Sequence, residues 1–524
     1  MAKLHEYQSR ALLASVGIAV PRGAVAVTPD DARRIAAEIG GPVVVKAQAW
    51  VTGRAALGAI RFADDPGAAA DAARAILGMD VGAYPVERVL VVERLTIARE
   101  FYAGVIIDDV ARAPVMIFSS QGGSGIETIA REHPDRVARH TVDIRLGLRD
   151  FEARELARRT GLSGALLVQV GDLLPRLYDA ARRYDARAAE INPLALTDDG
   201  RLVAADCRFT IDDYAVFRQP ELDIPFAREI DRPPTPLERV AWDVERGDYR
   251  GTFFFIQMAQ GFDRGDGYVG FHGAGGGGSM MSMDALGAQG LRPANFVDTS
   301  GNPPASKVYR AARIILSQPG IDGYFASGSG VASQEQYHSA RALVKAFLEA
   351  PLSVPAVIRL GGNAEEHAIA ILERARDHLL APVEAYGKDD APGYCAARLR
   401  DLIAGTPPRE AAPPAYGPRP AQDPYQFDTV TGGTVTLDHA RCRDCASKVC
   451  LSTCAPGILS LEGDVPVLSI TREEAKHGGC VECLACEVEC FFEGNGGGYV
   501  HLPIAGLDAA WGAQTGETTD GDPD

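Results

Sequence analysis

No apolar run in this 524-residue sequence approaches the roughly 20 residues a membrane-spanning helix needs, and the opening MAKLHEYQSR is polar. Positive charge is also in short supply. With 53 Lys and Arg against 70 Asp and Glu, the formal net charge of -17 gives neither a nucleic acid nor an anionic membrane an electrostatic reason to bind. Cysteine is nearly missing from most of the chain: outside residues 442–490 only Cys207 and Cys395 occur. That scarcity fits a reducing compartment, and the expectation is a soluble cytoplasmic protein. What remains, 46% hydrophobic and 23% charged residues, is an ordinary globular composition long enough for three domains.

Eight of the ten cysteines stand together as Cys442, Cys445, Cys450 and Cys454, then Cys480, Cys483, Cys486 and Cys490. The second group reads C-x2-C-x2-C-x3-C, a cluster-binding spacing, and eight thiolates suffice for two 4Fe-4S cubes. Disulfides or two four-cysteine zinc sites are the alternatives. Zinc sites usually separate two C-x-x-C pairs rather than running three cysteines at this spacing.

Earlier in the chain, Thr28-Pro29-Asp30-Asp31 carries a capping Thr and a Pro at the first helical position, and it predicts a helix over DARRIAAEIG. In the strand after that helix, VVVKAQ, Lys46 stands among β-branched residues and needs either a route to water or an anion. The loop Trp50 to Gly58, with Gly53 and Arg54 at its centre, offers backbone N–H groups and a guanidinium to phosphates. Residues 188–209 read as a hairpin about Asp198-Asp199-Gly200. Glu190 and Asn192 share a face of it, and Asp206 lies about as far past the turn as Asn192 lies before it. Three such oxygen donors suit Mg2+; polar residues on a solvated sheet face are the alternative.

From about residue 236 short apolar strands alternate with helical runs, the pattern of a doubly wound α/β domain. Glycine-rich loops come after four strands: Ala274–Ser279, Thr299–Asn302, Ser327–Gly330 and Gly361–Asn363. Loops of this kind share one sheet edge, where helix N-termini favour phosphate or carboxylate.

LHEYQ, VVVKAQ, VERLTIAREFYAG, EINPL, PANFVD and VIRLGGN occur in that order, and residues 1–404 resemble the β subunit of succinyl-CoA synthetase. The resemblance implies an α/β chain with an ATP-grasp domain (1–235) followed by a flavodoxin-like CoA-ligase domain (236–404). It implies an NDP-forming acid–thiol ligase in which Lys46, Gly53 and Arg54 meet the phosphates of ATP or GTP, Glu93 and Glu100 the nucleotide, and Asn192 and Asp206, beside Glu190, the Mg2+. Gly328, Ser329 and Gly330, with Gly301 and Asn302, would hold the substrate side, at a helix start. None of the ten histidines, His272, His338 and His367 included, sits in a segment like the family's phosphohistidine loop. The implied partner is therefore a separate α-type subunit carrying that histidine and the CoA site, with CoA and a small carboxylic acid as substrates.

Departures from the family fall at the loops. GRGKAGG becomes Gly53-Arg54-Ala55-Ala56-Leu57-Gly58, removing a lysine; a triple-glycine loop becomes Thr299-Ser300-Gly301-Asn302-Pro303-Pro304; and a Gly-Gly-Ile helix start becomes Gly328-Ser329-Gly330-Val331. The acid is expected not to be succinate. Cys207 and Arg208 replace a Gly-Lys pair, Cys207 reading as a buried small residue.

Residues 405–424 hold seven prolines, and 405–430 are expected to form an extended connector that makes the C-terminal cysteine region a tethered module. Residues 431–510 resemble small bacterial-type ferredoxins, an α+β fold in which the fourth cysteine of each run serves the other cluster. That resemblance assigns Cys442, Cys445, Cys450 and Cys490 to one cube and Cys480, Cys483, Cys486 and Cys454 to the other, with a redox partner in prospect. The first run departs by a longer second gap and a displaced Pro456. The acidic tail 511–524 is expected to be disordered. An alternative reading makes the chain an electron-transfer subunit whose ligase body only binds nucleotide or CoA ester.

Overall fold

The computed structural model describes residues 2–507 except 52, 83, 124–128, 130, 225–231, 251–252, 408–415 and 419. The expected tail 511–524 and the middle of the proline-rich stretch lie outside the described residues. Two compact units divide at residue 233.

The first unit contains two main antiparallel sheets beside a short two-stranded one, Asp80–Val81 with Tyr84–Pro85. Four strands run in the order Gly23–Ala26, Val89–Glu93, Val43–Ala47, Ile60–Ala63. Helices Pro29–Ile39 and Pro66–Ile76 cover this sheet, each opened by a capping side chain (Thr28, Asp65) with Pro at the first position. The larger sheet runs Ala2–Lys3, Cys207–Ile211, Ala186–Thr197, Ile97–Asp108, Ala113–Ser119, Val137–Thr141. The turn at Thr197–Arg201 returns the chain so that Leu196 faces Leu202 and Ile191 faces Cys207. Asn192 N donates to the Asp206 carbonyl at 2.9 Å, which sets those two residues side by side.

In the second unit, strand Phe254–Gln257 runs antiparallel beside Asn295–Asp298, and the remaining strands Tyr268–Ala274, Gly323–Gly328, Ala356–Arg359 and Val383–Tyr386 are parallel. Numbering the five parallel strands along the chain gives the spatial order 2-1-3-4-5, a doubly wound sheet whose switch point lies between the first and third. Helices Gly276–Ala288 and Pro392–Gly405 cover one face through Leu286, Cys395 and Leu399. Helices Ala305–Leu316, Tyr337–Glu349 and Glu365–Ala375 cover the other.

The cysteine-bearing segment is not a tethered module. Its three-stranded sheet begins at Pro424–Asp428, inside the expected connector, and continues through Thr434–Asp438 and Gly498–His501. Val435, Leu437, Val488 and Val500 share one apolar core with Val308, Leu343 and Phe347 of the doubly wound domain. Every residue from Ser339 to Leu348 is consequently buried, so the Tyr337–Glu349 helix is interior on both sides. Seven prolines predict an extended connector, but the apolar area buried where the segment packs outweighs that extension.

Candidate functional site

In the first unit a ring of charge joins the two sheets. Lys46 projects from the central strand Val43–Ala47, and its Nζ donates to Glu6 Oε1 at 2.6 Å and to the Ala205 carbonyl at 2.8 Å. Arg54 Nη2 donates to Glu6 Oε2 at 2.6 Å and to Asp206 Oδ2 at 2.8 Å, while Nη1 donates to the Ala47 carbonyl at 2.8 Å. Trp50, stacked on His5 at 4.7 Å, pins the start of the Arg54 loop. Burial would raise the Glu6 carboxyl, but Lys46 and Arg54 hold it below the ordinary range. Asp206 goes the other way: burial and the Glu6 charge raise it despite Arg54 and Lys46. Lys46, Arg54 and Asp206 thus come together in one charged cluster. Their organiser, Glu6, was missed, although it is the acidic residue of LHEYQ and opens the helix Glu6–Ser15.

Glu100 and Asn192 meet at a glycine pair. The Glu100 carbonyl accepts from Gly122 N at 2.9 Å, and the Asn192 amide brackets Gly123 by accepting from its N and donating to its carbonyl, both at 3.1 Å. Glu190 accepts from the Tyr102 hydroxyl at 3.3 Å, and Glu93 takes both the backbone N and Nε of Arg22 at 2.8 Å. Asn192 and Asp206 are joined through their backbones while their side chains bond elsewhere, and Glu190 accepts from Tyr102, so the three expected Mg2+ donors are individually engaged and not drawn to one point. Cys207 is buried, and burial first, then Glu6 and Asp206, push its thiol well up.

In the second unit the loops after four strands close around one pocket at the strands' carboxyl ends, lined by His272, Thr299, Gly301, Ser329, Gly330 and Arg359 among others. Gly278 is required there, because a Cβ would lie 2.3 Å from Ser329 Cα. Asp298 holds the neighbouring loop: it accepts from Gly275 N at 3.0 Å and Gly276 N at 2.9 Å, so the start of the Gly276–Ala288 helix is filled by the chain's own carboxylate. The expected helix start at Gly328-Ser329-Gly330 is displaced. Gly330 takes φ +76, the chain runs on as a loop, and the helix begins at Tyr337. Asn302 pins that loop, donating to Ser333 Oγ at 2.8 Å and accepting from Gln334 N at 2.9 Å.

Arg359, also missed, is buried at 6% exposure, and its three donated bonds all go to backbone carbonyls: Asp390 at 2.6 Å, Gly328 at 2.8 Å and Lys388 at 3.0 Å. It makes no ion pair with a described carboxylate. A desolvated guanidinium held by neutral oxygens beside a pocket leaves positive charge for an anion. The signal was the lone cation in the strand of VIRLGGN.

All ten cysteines are free. Cys442, Cys445, Cys450 and Cys490 line one cavity, and Cys454, Cys480, Cys483 and Cys486 line a second. Burial pushes the Cys450 and Cys480 thiols up to about 12 and Cys442 to about 11, each further raised by thiols of its own set. Among the described residues no three His, Cys, Asp or Glu side chains converge on a position for a single metal ion. One helix, Ala485–Glu493, contributes Cys486 to the second set and Cys490 to the first.

The ATP-grasp domain family matches residues 3–196. The β subunit of the GDP-forming succinate–CoA ligase of Thermus thermophilus is 40% identical over 370 residues, covering 71% of this chain and 93% of that protein. The ADP-forming counterpart of Chloroflexus aurantiacus is 39% identical over 398 residues, covering 76% and 99%. Among solved structures, ATP citrate lyase from Methanothrix soehngenii shares the fold, with TM-score 0.62 and 19% identity over 77% of this chain and 99% of that one. These matches leave roughly a quarter of the chain uncovered.

Proposed function

The chain belongs to the family of succinate–CoA ligase β subunits, and from that premise we propose that it is the β-type subunit of an ADP- or GDP-forming carboxylate–CoA ligase with a built-in iron–sulfur module. The observation that carries the ligase reading is the buried Arg359, without an ion pair among the described residues, beside a pocket of glycine-rich loops, a place made for a carboxylate or phosphoryl group.

Lys46 and Arg54 receive the phosphates of ATP or GTP, with Gly53 giving the loop its turn and Glu93 and Glu100 meeting the rest of the nucleotide. Asn192 and Asp206, with Glu190, hold Mg2+, which neutralises phosphate charge. Binding exchanges partners: Arg54 leaves Asp206 for phosphate, and Asp206 is freed for the cation. The phosphoryl group passes to a histidine of an α-type partner and on to a small carboxylic acid held by Gly328, Ser329, Gly330, Gly301 and Asn302. CoA thiol then displaces phosphate from the acyl phosphate. The altered loops argue for an acid other than succinate, in a cytoplasmic setting.

The two cysteine sets fit 4Fe-4S clusters better than single ions. Four thiols line each cavity, and burial pushes Cys442 and Cys450 of one set and Cys454, Cys480 and Cys486 of the other up, so these ionise only with a bound cationic group to compensate them as thiolates. Such groups supply one-electron chemistry to a redox partner. Co-expression with the α-type partner, anaerobic purification, iron counting and a CoA-ligase assay over a panel of acids test the whole. Thioester formation dependent on ATP or GTP supports it, and inertness across the panel overturns the ligase reading.

The paired cysteine sets favour a second reading, an electron-transfer subunit whose ligase body only binds nucleotide or CoA ester. Phosphorylation of the partner's histidine from ATP would exclude it.

A further inference from the structure

The three helices on one face of the doubly wound sheet have two sides, and two of them are used twice. Val308 of the Ala305–Leu316 helix and Ser339 and Leu343 of the Tyr337–Glu349 helix line the substrate pocket. The next residues round each helix point into the cysteine module. Arg310 donates to Thr431 Oγ1 at 2.7 Å and to the Pro503 carbonyl at 3.1 Å, and Thr431 in turn binds Glu482, which lies between Cys480 and Cys483. Arg341 Nε donates to Glu489 Oε1 at 2.8 Å, and Lys345 Nζ to Glu487 Oε1 at 2.7 Å. Both pairs are almost fully buried, with side-chain exposures of 2% and 4%, then 0% and 0%.

Glu487 and Glu489 lie between Cys486 and Cys490 on the Ala485–Glu493 helix, the one element that serves both cysteine sets. A charge taken out of water is worth keeping only with its partner in place, so these contacts specify position tightly. We propose that Glu487 and Glu489 are positioning residues for the acid pocket: loading of the cysteine sets fixes the Ala485–Glu493 helix, which fixes the Tyr337–Glu349 helix and with it the pocket wall. The module thereby makes carboxylate activation conditional on iron. This rests on the iron–sulfur reading above, and no electron has to move for it to operate.

Coupling of this kind is reciprocal at equilibrium: if loaded clusters tighten binding of the acid, bound acid tightens retention of the clusters by the same factor. The test uses the full chain with its α-type partner. Iron is counted first, then removed anaerobically with an oxidant and chelator, and three quantities are compared before and after. The expected result is a KM for the acid raised about five-fold or more, an unchanged KM for nucleotide, and faster amide exchange over residues 331–348. Adding the acid and CoA to the loaded complex should slow bleaching of the visible absorbance by the chelator. Unchanged acid KM and exchange in protein shown to have lost its iron would overturn the coupling while leaving the iron–sulfur reading intact.

Protein purified anaerobically without iron would overturn the iron dependence together with the cluster reading. The ion-pair link is then judged by the double variant Lys345→Met/Glu487→Gln, which removes both charges and keeps their bulk. A KM shift confined to the acid supports the link, and equal shifts for acid and nucleotide oppose it.

Discussion

Arg341 and Glu489 stand 148 residues apart in sequence and meet at 2.8 Å with almost no exposure. Arg374 reaches the other oxygen of the same carboxylate at 2.5 Å, so Glu489 ties together two helices of the doubly wound domain. A module that merely rode on a connector would show no such convergence.

Lys345 is the point of greatest stability leverage. It lies between Glu349 at 2.6 Å and Glu487 at 2.7 Å, and without it buried Glu487 loses its cation while Glu349 keeps Arg313 at 3.2 Å. Lys345→Met should lower unfolding stability by about 3–5 kcal/mol, and Glu487→Gln added to it should recover part of that loss. Denaturant titration of the single and double variants measures both.

Glu6 and Asp206 should respond to substitution with opposite signs. The folded-state value of Glu6 is depressed, so its stabilisation is present above the unfolded carboxylate range near pH 4.5 and is lost as pH falls through the lower folded value. Glu6→Gln should therefore destabilise at neutral pH and flatten the acid limb of the stability curve. The Asp206 value is raised, so its ionised form costs stability as pH rises from about 4. Asp206→Asn should leave neutral-pH stability equal or higher while abolishing Mg2+-dependent nucleotide turnover. Thermal melts across pH 3–8 and a turnover assay separate the two.

Arg359→Met should raise the KM for the carboxylic acid roughly ten- to a hundred-fold, the equivalent of a charge-assisted hydrogen bond of about 1.5–3 kcal/mol. The KM for nucleotide should not move. Arg359→Lys should rescue little, because three carbonyls hold the present fork at Nε, Nη1 and Nη2.

Iron content and electron paramagnetic resonance of cysteine variants check the pairing of the two sets. Cys442→Ser and Cys490→Ser should lose the same signal although 48 residues separate them in sequence. Cys454→Ser should lose the other, with Cys480, Cys483 and Cys486.

The sequence made legible whatever depends on short-range pattern. The Thr28 cap, the hairpin at Asp198–Gly200, the glycine loops of the doubly wound sheet and the grouping of the cysteines about two cavities all come from local spacing or resemblance. Glu6 was hidden because nothing local tells a buried acid from a solvated one at the first turn of a helix. Arg341 and Lys345 were hidden for a related reason: a doubly wound domain usually shows water the outer side of its helices, and cations there read as solvated. Their partners lie 148 and 142 residues away, a distance over which spacing carries no information. The loop at Gly328–Gly330 misled because the family's helix start was carried over, whereas the positive φ of Gly330 and the bonds from Asn302 delay the helix to Tyr337.

The burial of Arg310, Arg341 and Lys345 bears on how the gene can be cut. A chain stopped at residue 404 would match its relatives in length but not in behaviour. It would carry three cations shaped for oxygens it no longer has, on an apolar face it can no longer cover. Such a fragment should collect in inclusion bodies rather than fold as a smaller ligase, because Phe427, Val435, Leu437, Val488 and Val500 complete the core that the helices bearing those cations border.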